Sequence, residues 1–443
     1  MKPNSRRFQP LQAATLGGLV ITTSTLALLA PGLSRSVRAA LQDSPKAVVD
    51  EAWQLVNRYY VDGTFNKVDW QATRQSLLNK NYTSTKQAYD AVRVALKQLN
   101  DPYTRFMDPN EFATLTTQTS GELSGVGIRL GQNEKTKVMT VAEPIEGSPA
   151  IKAGIKSGDQ LLAIDGKPTS KMTIEQASSL IRGKAGTQIS LLLSRPERGQ
   201  FTLQITRAVI ELPTVSFGVR EEAGNRIGYV RLSEFNAHAP EQTQAALNKL
   251  QAENVQGLVL DLRGNPGGLL ESGVEITRML LDSGLIVRTV DRGGKNDRIA
   301  ADSSSITKLP LAVLVDNNSA SCSEILTGAL QDNRRAVVVG TQTYGKAMVQ
   351  AVHKLSDGSG MAVTIAHYYT PNGTDINHKG IAPDVQIELT EAQRKKLIDS
   401  PNLIGTDADP QYAKAVASLK SQIVASKPAA SSVTTKEAAA PVK

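Results

Sequence analysis

Residues 310–330 read PLAVLVDNNSASCSEILTGAL. The stretch passes from a short apolar run, the pattern of a buried strand, through a polar turn into a helix. The same alternation extends on both sides of it. RIGYVRL from Arg226 leads into the helical HAPEQTQAALNKLQ, and GLVLDLRGN from Gly257 into GGLLESGVEITRMLL; LIVRTVDR precedes the quoted residues and AVVVGT from Ala336 follows them. Repeated strand-then-helix units predict a sheet covered by helices, with function at the strand ends.

The regions before and after differ in texture. From Ser44 to about Leu115, Val48, Val49, Ala52, Trp53, Val56 and then Ala88, Val92, Leu96 and Leu99 recur at helical spacing, until NDPYTRFMDPNEF breaks the pattern. From Gln118 to Ala208 short apolar runs (GVGIRL, KVMTVAEP, QLLAIDG, QISLLLS, FTLQITR) sit between glycines, with helices only around Ala150 and from Ile174 to Ile181. Strands with two small helices in so short a span predict a compact, partly open barrel. From Leu403 onward charged and small residues take over, ending SKPAASSVTTKEAAAPVK, and a mobile extension is expected.

A chain of 443 residues with 40% hydrophobic content is an ordinary globular protein of two or three domains. Its net charge of +8 does not argue for a nucleic-acid partner: residues 1–39 hold five basic residues and no acid, and the remainder carries only +3. That first segment has a basic start, an apolar centre from Leu16 to Ala30 and Val37-Arg38-Ala39 before Ala40, the layout of a cleaved export signal, with a retained membrane anchor as the alternative. The single cysteine excludes an intrachain disulfide, and His238, His353, His367 and His378 have no zinc-site spacing, so neither metal nor cofactor is expected.

Three stretches carry candidate chemistry. The 310–330 turn presents Ser319, Ser321, Cys322 and Ser323, though a serine at a helix start is ordinarily a cap. YGKAMVQ, from Tyr344, sets Lys346 among apolar neighbours, where burial favours the neutral amine and so a base; a snorkelling surface lysine is the alternative. GLVLDLRGNPGGLL, residues 257–270, has a glycine turn whose N–H groups suit an oxyanion, and it lacks the lysine-serine/threonine ending of a phosphate loop.

Residues 118–207 resemble a PDZ domain, on the strength of GSPAIKAGIKSGDQLLAIDGKP and of LSGVGIRL at the place of that family's carboxylate loop. The resemblance implies capture of a polypeptide C-terminus at Leu123, Gly125, Val126, Gly127 and Ile128. With DPYTRF, LDLRGNPGG, the S-A-S-x-S-E-I turn, GK…VQ and YYTPNGTDINHKGIAPDV, the chain from Val48 to Leu389 resembles the carboxyl-terminal processing proteases, Ser-Lys peptidases with an inserted PDZ domain. That resemblance implies an α+β multidomain protein: signal peptide 1–39, helical segment 40–117, PDZ domain 118–207, a crotonase/ClpP-like α/β protease core 208–400, and a helical, low-complexity tail 401–443.

The same resemblance implies Ser321 as nucleophile, Lys346 as base, Gln350 beside the dyad one helical turn beyond the lysine, and Gly267 and Cys322 as oxyanion donors. Ser319 and Ser323 are then expected to bond within their turn, and Cys322 to act through its amide, its thiol being at most an oxidation-sensitive brake. Cys322 and Met348 depart from the family's usual alanine and small residues. Glu324 and Asp332 fall where the family holds acidic residues, with capping or surface ion pairing as the alternative, and Arg129 is expected to face solvent. Expected substrates are proteins with exposed apolar C-termini, a membrane protein among them, since the resemblance is closest to cyanobacterial and plastid members that trim a photosystem II reaction-centre subunit in the thylakoid lumen; the periplasm is equally compatible. The rival readings are an inactive PDZ adaptor and a crotonase-like acyl transferase.

Overall fold

The computed structural model describes residues 21–22, 44–133, 136–222 and 224–426. The expected signal peptide, apart from Ile21–Thr22, and the end of the tail lie outside the described residues.

Helices Pro45–Tyr59 and Thr85–Lys97 form where the apolar spacing predicts them, and Trp70–Asn79 forms a further helix between them. Each starts at a polar cap: the side chains of Ser44, Asp69 and Ser84 accept from the N–H groups of Lys46, Ala72 and Gln87, a device worth about 1 kcal/mol apiece. Their apolar faces share one core, and Phe106, Met361 and Val363 from a sheet complete it. The helical segment is therefore packed onto the rest of the molecule. The break at NDPYTRFMDPNEF is a strand, Arg105–Met107, followed by helix Pro109–Ser120, which Asp108 and Glu111 open with a capping box.

In the PDZ region Ile128–Gln132, Met139–Pro144, Gln160–Ile164, Gln188–Arg195 and Gly199–Thr206 form a sheet in that order around Val126, Val141, Leu161, Ile189, Leu191 and Leu193. Ile128–Gln132 lies at its edge, so one side of this strand is open to a further strand. The ribbon of Glu122–Gly125 and Ala208–Glu211 carries the chain in and out.

The alternating units predicted from residues 226–340 form a sheet ordered Val215–Glu222, Asn225–Leu232, Gly257–Asp261, Leu311–Val315, Val337–Gly340 and Val385–Gln386, parallel after its first pair. Every residue of Gly257–Asp261 and Leu311–Val315 is buried, because helices cover both faces. Ala239–Ala252, Leu270–Leu280 and Cys322–Asp332 cover one. Pro410–Ser426 covers the other with Tyr412, Ala415, Val416, Leu419 and Ile423. The expectation of a mobile extension from Leu403 is thus corrected: these five residues recur at helical spacing and close an otherwise bare apolar sheet face. Arg263 fastens the same helix, donating to Asp409 at 2.7 Å and to Gln411 at 2.9 Å.

A second sheet packs Met348–Lys354 against Gly360–Tyr369, whose other edge takes Leu285–Asp291 at one end and Arg105–Met107 at the other. The cleft described next opens between this sheet and the turn ahead of Cys322.

Candidate active site

Ser321 has φ 55° and ψ −114°. A non-glycine residue held there costs on the order of 1–3 kcal/mol and persists only where its surroundings over-determine it. They do. Ser319 Oγ donates to the Leu262 carbonyl (2.8 Å) and accepts from the Asp316 N–H (2.9 Å). Ser323 Oγ donates to the Asn265 carbonyl (3.0 Å), across to the glycine turn and not within its own turn as expected. Both flanking hydroxyls are engaged in holding the backbone, and the one that lines the cleft is Ser321.

Lys346 follows the strand Val337–Gly340 and lines the same cleft. Its Nζ lies 4.9 Å from the centre of the Tyr103 ring, and among the described residues it has no carboxylate within ion-pair distance. Burial lowers its pKa, and the Arg105 charge adds to the effect against the opposing influence of Cys322, Asp101 and Glu324. The surface-lysine alternative does not fit this placement.

One buried carboxylate joins the two segments. Glu324, 0% exposed, accepts from the Ser321 N–H (2.9 Å), the Lys346 N–H (2.9 Å), the Gly345 N–H (2.6 Å) and the Thr343 hydroxyl (2.6 Å). Burial pushes its pKa up while these four donors pull against it. On the opposite side the Tyr368 hydroxyl donates between the carbonyl oxygens of Ser321 (3.2 Å) and Lys346. Serine and lysine backbones are thus clamped through both their N–H and their C=O groups. Of the alternatives for Glu324, surface ion pairing is excluded by its burial, whereas capping is present: its carboxylate accepts from the Ser321 N–H in a capping box at the start of Cys322–Asp332. Asp332 sits at the far end of the helix and accepts from the Asn372 N–H (2.8 Å), away from the cleft.

The glycine turn lies directly against Ser321. A Cβ on Gly267 would come within 2.8 Å of both the Ala320 carbonyl and Ser321 Cβ, and φ there is +101°, so only glycine fits. The Gly267 N–H itself donates to Asn265 Oδ1 (2.9 Å), while the fully buried Asn265 also donates to the Leu232 carbonyl (2.9 Å). The amides of Cys322 and Gly268 have no acceptor among the described residues. The geometry therefore presents Cys322 and Gly268 as the two open donors and holds the Gly267 amide in the turn. The Cys322 thiol is 2% exposed and burial pushes its pKa up to about 12, which disfavours the thiolate that oxidation needs; a redox brake does not suit it.

Gln350 lines the cleft as expected, but on the strand Met348–Lys354 and not on a helix. Its neighbours Val349, Val352 and His353 are buried against a sheet partner, Gly360–Tyr369, which overrides the four-residue spacing. Its Nε2 is buried with no acceptor among the described residues.

In the PDZ region Val126 and Gly127 turn their carbonyls inward, to the N–H groups of Ala150 (2.8 Å) and Ile145 (2.9 Å). Their own N–H groups have no acceptor among the described residues. Ile128 begins the open edge strand, whereas Leu123 and Gly125 belong to the entry ribbon, paired with Ile210 and Ala208. Arg129 is exposed, 3.9 Å from Glu143.

The cleft encloses about 200 Å³ between Leu115, Leu270, Ile325, Met348, Val352 and Ala362, with Ser321 and Lys346 at one side. Sequence reasoning missed Tyr368, Asn265, Thr343, Tyr103 and Arg105. Tyr103 and Arg105 in DPYTRF, Asn265 in LDLRGNPGG and Tyr368 in YYTPNGTDINHKGIAPDV each carried a signal as part of a motif; Thr343 carried none.

The description Peptidase family S41 matches residues 226–387, and a PDZ domain matches 140–195. The chain is 45% identical over 335 residues to the carboxyl-terminal-processing protease of Picosynechococcus sp., covering 75% of this chain and 81% of the relative. It is 38% identical over 390 residues to the one of Synechocystis sp., covering 88% and 89%. Among solved structures, a photosystem II D1 C-terminal processing protease is 39% identical, with a TM-score of 0.52, over 83% of this chain and 99% of that one.

Proposed function

The chain belongs to peptidase family S41 as a carboxyl-terminal-processing serine peptidase with a PDZ domain, and from that premise we propose that Ser321 and Lys346 are its catalytic dyad. The observation that carries the assignment is the single Glu324 carboxylate bonded to the amides of both residues. A nucleophile and a base must be held in one geometry, and a lysine kept toward its neutral form by burial can accept a hydroxyl proton.

In the proposed sequence Lys346 Nζ takes the Ser321 proton as Oγ bonds to the scissile carbonyl carbon. The oxyanion is received by the Cys322 amide and the Gly267–Gly268 turn, where Gly268 holds the open N–H. The carbon–nitrogen bond then breaks, the Lys346 ammonium returns the proton to the leaving amine, and water resolves the acyl ester by the reverse relay. Gln350 lies beside the dyad as a donor for the substrate backbone.

The PDZ turn at Val126 and Gly127, with the open edge strand from Ile128, receives the substrate's C-terminus by strand addition; the apolar floor of the cleft favours apolar tails. The chain divides, on this reading, into the helical segment 40–117, the PDZ domain 118–207 and the core 208–400, to which helix Pro410–Ser426 is added. On this reading it acts in a thylakoid lumen or periplasm on the photosystem II reaction-centre precursor, a membrane protein; its likeness to cyanobacterial carboxyl-terminal-processing proteases and to a photosystem II D1 C-terminal processing protease supports this.

The test is incubation of the chain from Ala40, beside Ser321→Ala and Lys346→Ala, with a protein ending in an apolar tail, reading the cut by mass. Cleavage by the wild type alone, slowed when the substrate's C-terminus is amidated, is the expected result. Binding without any cutting would favour the adaptor.

A further inference from the structure

The cleft that holds Ser321 and Lys346 is lined by two cations and no acid: its side chains include Lys346 and Arg105 but neither Asp nor Glu. The nearest carboxylates are already engaged. Asp101 accepts from the Tyr103 N–H (2.9 Å) and the Thr104 hydroxyl (2.7 Å), and Glu324 from its four donors. Glu111, which shares a neighbouring hollow with Arg105, is paired with Arg93 at 2.7 Å. The Arg105 guanidinium, exposed at the flank of the cleft, makes no ion pair or side-chain hydrogen bond among the described residues.

Its placement follows from register. Arg105 pairs with Ala362, and Ala362 pairs with Val352 on the other side. Residues opposite one another share a face of a sheet, so Arg105, Ala362 and Val352 form one row across it, and all three line the cleft. Gln350, two residues back along the same strand and opposite Thr364, points to the same side. The cleft therefore has an apolar middle with Arg105 on one flank and, toward the dyad, a carboxamide whose buried N–H group lacks an acceptor.

We propose that Arg105 is a substrate-binding residue that receives a carboxylate of the polypeptide lying in the cleft, an acidic side chain or the free terminus of a short tail. Two strand spacings and two residue rises separate Arg105 from Gln350, roughly 12 Å between backbones. An extended peptide covers that length in about four residues, so the carboxylate belongs within about four positions of the scissile bond. The proposal rests on the Ser321–Lys346 assignment for the place of that bond, but not for the existence of the carboxylate site. A planar guanidinium at the exposed flank of a cleft can take a carboxylate through two parallel N–H···O bonds, and doing so neutralises the positive excess beside the lysine.

Binding is measured by anisotropy on full-length Ser321→Ala, which holds a substrate without turnover. Labelled peptides carry Glu or Gln at each of the four positions on either side of the cut, with amidated termini. A second set has no acidic side chain and tails of two to six residues, free or amidated. The expected result is about tenfold tighter binding of Glu over Gln at one position, or of the free over the amidated terminus at one tail length, with the preference abolished in Ser321→Ala/Arg105→Gln and partly kept in Ser321→Ala/Arg105→Lys. The first pattern identifies a side-chain carboxylate and the second a terminus. A preference of equal size with and without Arg105, or none at any position, overturns the proposal. If wild type cuts none of the peptides while the Arg105-dependent preference is present, the carboxylate site stands and the dyad assignment falls.

Discussion

Replacing Glu324 by glutamine changes one oxygen to an amine and should nevertheless be among the most damaging substitutions in the protein. The carboxylate meets four donors and no acceptor: one oxygen takes the Thr343 hydroxyl and the Gly345 N–H, the other the Ser321 and Lys346 N–H groups. A carboxamide can serve one of these pairs with its oxygen and must turn its own N–H2 toward the other. Two buried donors are then left without acceptors, each costing about 1–3 kcal/mol, so the total is about 2–6 kcal/mol. A domain of this kind has only about 5–15 kcal/mol in all. Whichever way the amide flips, it disrupts the loop before Lys346, and one orientation also releases the Ser321 amide that holds the strained φ. An ångström of misplacement in such a site costs on the order of a hundredfold in rate.

The assay is a urea midpoint followed by core tryptophan or circular dichroism signal, together with kcat/KM on a fixed substrate. Glu324→Gln should lose both a large part of the midpoint and about two orders of magnitude in kcat/KM. Asp332→Asn, which alters a carboxylate on the same helix that holds only the Asn372 amide, should change the midpoint by no more than about 0.5 kcal/mol and leave kcat/KM intact. If Glu324→Gln matches the wild type in midpoint and stays within about twofold in kcat/KM, the clamp has been misread.

The remaining expectations are shorter. Activity should rise with pH through the depressed pKa of Lys346, a limb lying below the ordinary lysine value of about 10.4; a flat profile would remove lysine as the base. Because folded Lys346 binds its proton less tightly than the unfolded chain does, stability should grow as pH rises between those two pKa values. Lys346→Met should accordingly raise Tm at neutral pH and flatten that slope, and a lowered Tm would contradict the burial argument. Asp409→Ala leaves Arg263 with Asp261 as its one carboxylate partner, beside the Gln411 side-chain carbonyl oxygen, and should cost about 3 kcal/mol, seen as a lower urea midpoint; an unchanged midpoint would detach the C-terminal helix from the core. Cys322 should resist iodoacetamide at pH 8 in the native state and react only in denaturant, whereas rapid native labelling would contradict its burial.

What could be read from the sequence was local. Leu311–Val315 is apolar at every position and can only be buried, and the serine turn after it sits where a strand hands over to a helix. The misreadings arose where a distant partner decides. Gln350 lies four residues past Lys346, a helical interval, but Gly360–Tyr369 pairs with it and makes it a strand. Ser323 bonds to Asn265, 58 residues earlier, a contact without local trace. Tyr412, Ala415, Val416, Leu419 and Ile423 had helical spacing in plain sight; the small and charged residues between them hid it, and only the bare face of the sheet shows what they cover.

The placement of Tyr103 and Arg105 has a consequence for how the molecule works. The strand Arg105–Met107 directs Phe106 into the core of the helical segment and Met107 into the cluster under helix Pro109–Ser120. Between these two anchors the chain has little freedom, and the residues just ahead of it hold Tyr103 over the lysine amine. An aromatic face stabilises an ammonium, whereas burial and the Arg105 charge favour the amine. The helical segment thus contributes two opposing influences on the protonation of a residue 243 positions from Tyr103. Tyr103→Leu removes the influence that favours the ammonium and should move the rising limb of the pH profile to lower pH, while Arg105→Gln should move it higher. Equal shifts in the same direction would mean that the loop acts on Lys346 only by shielding it from water.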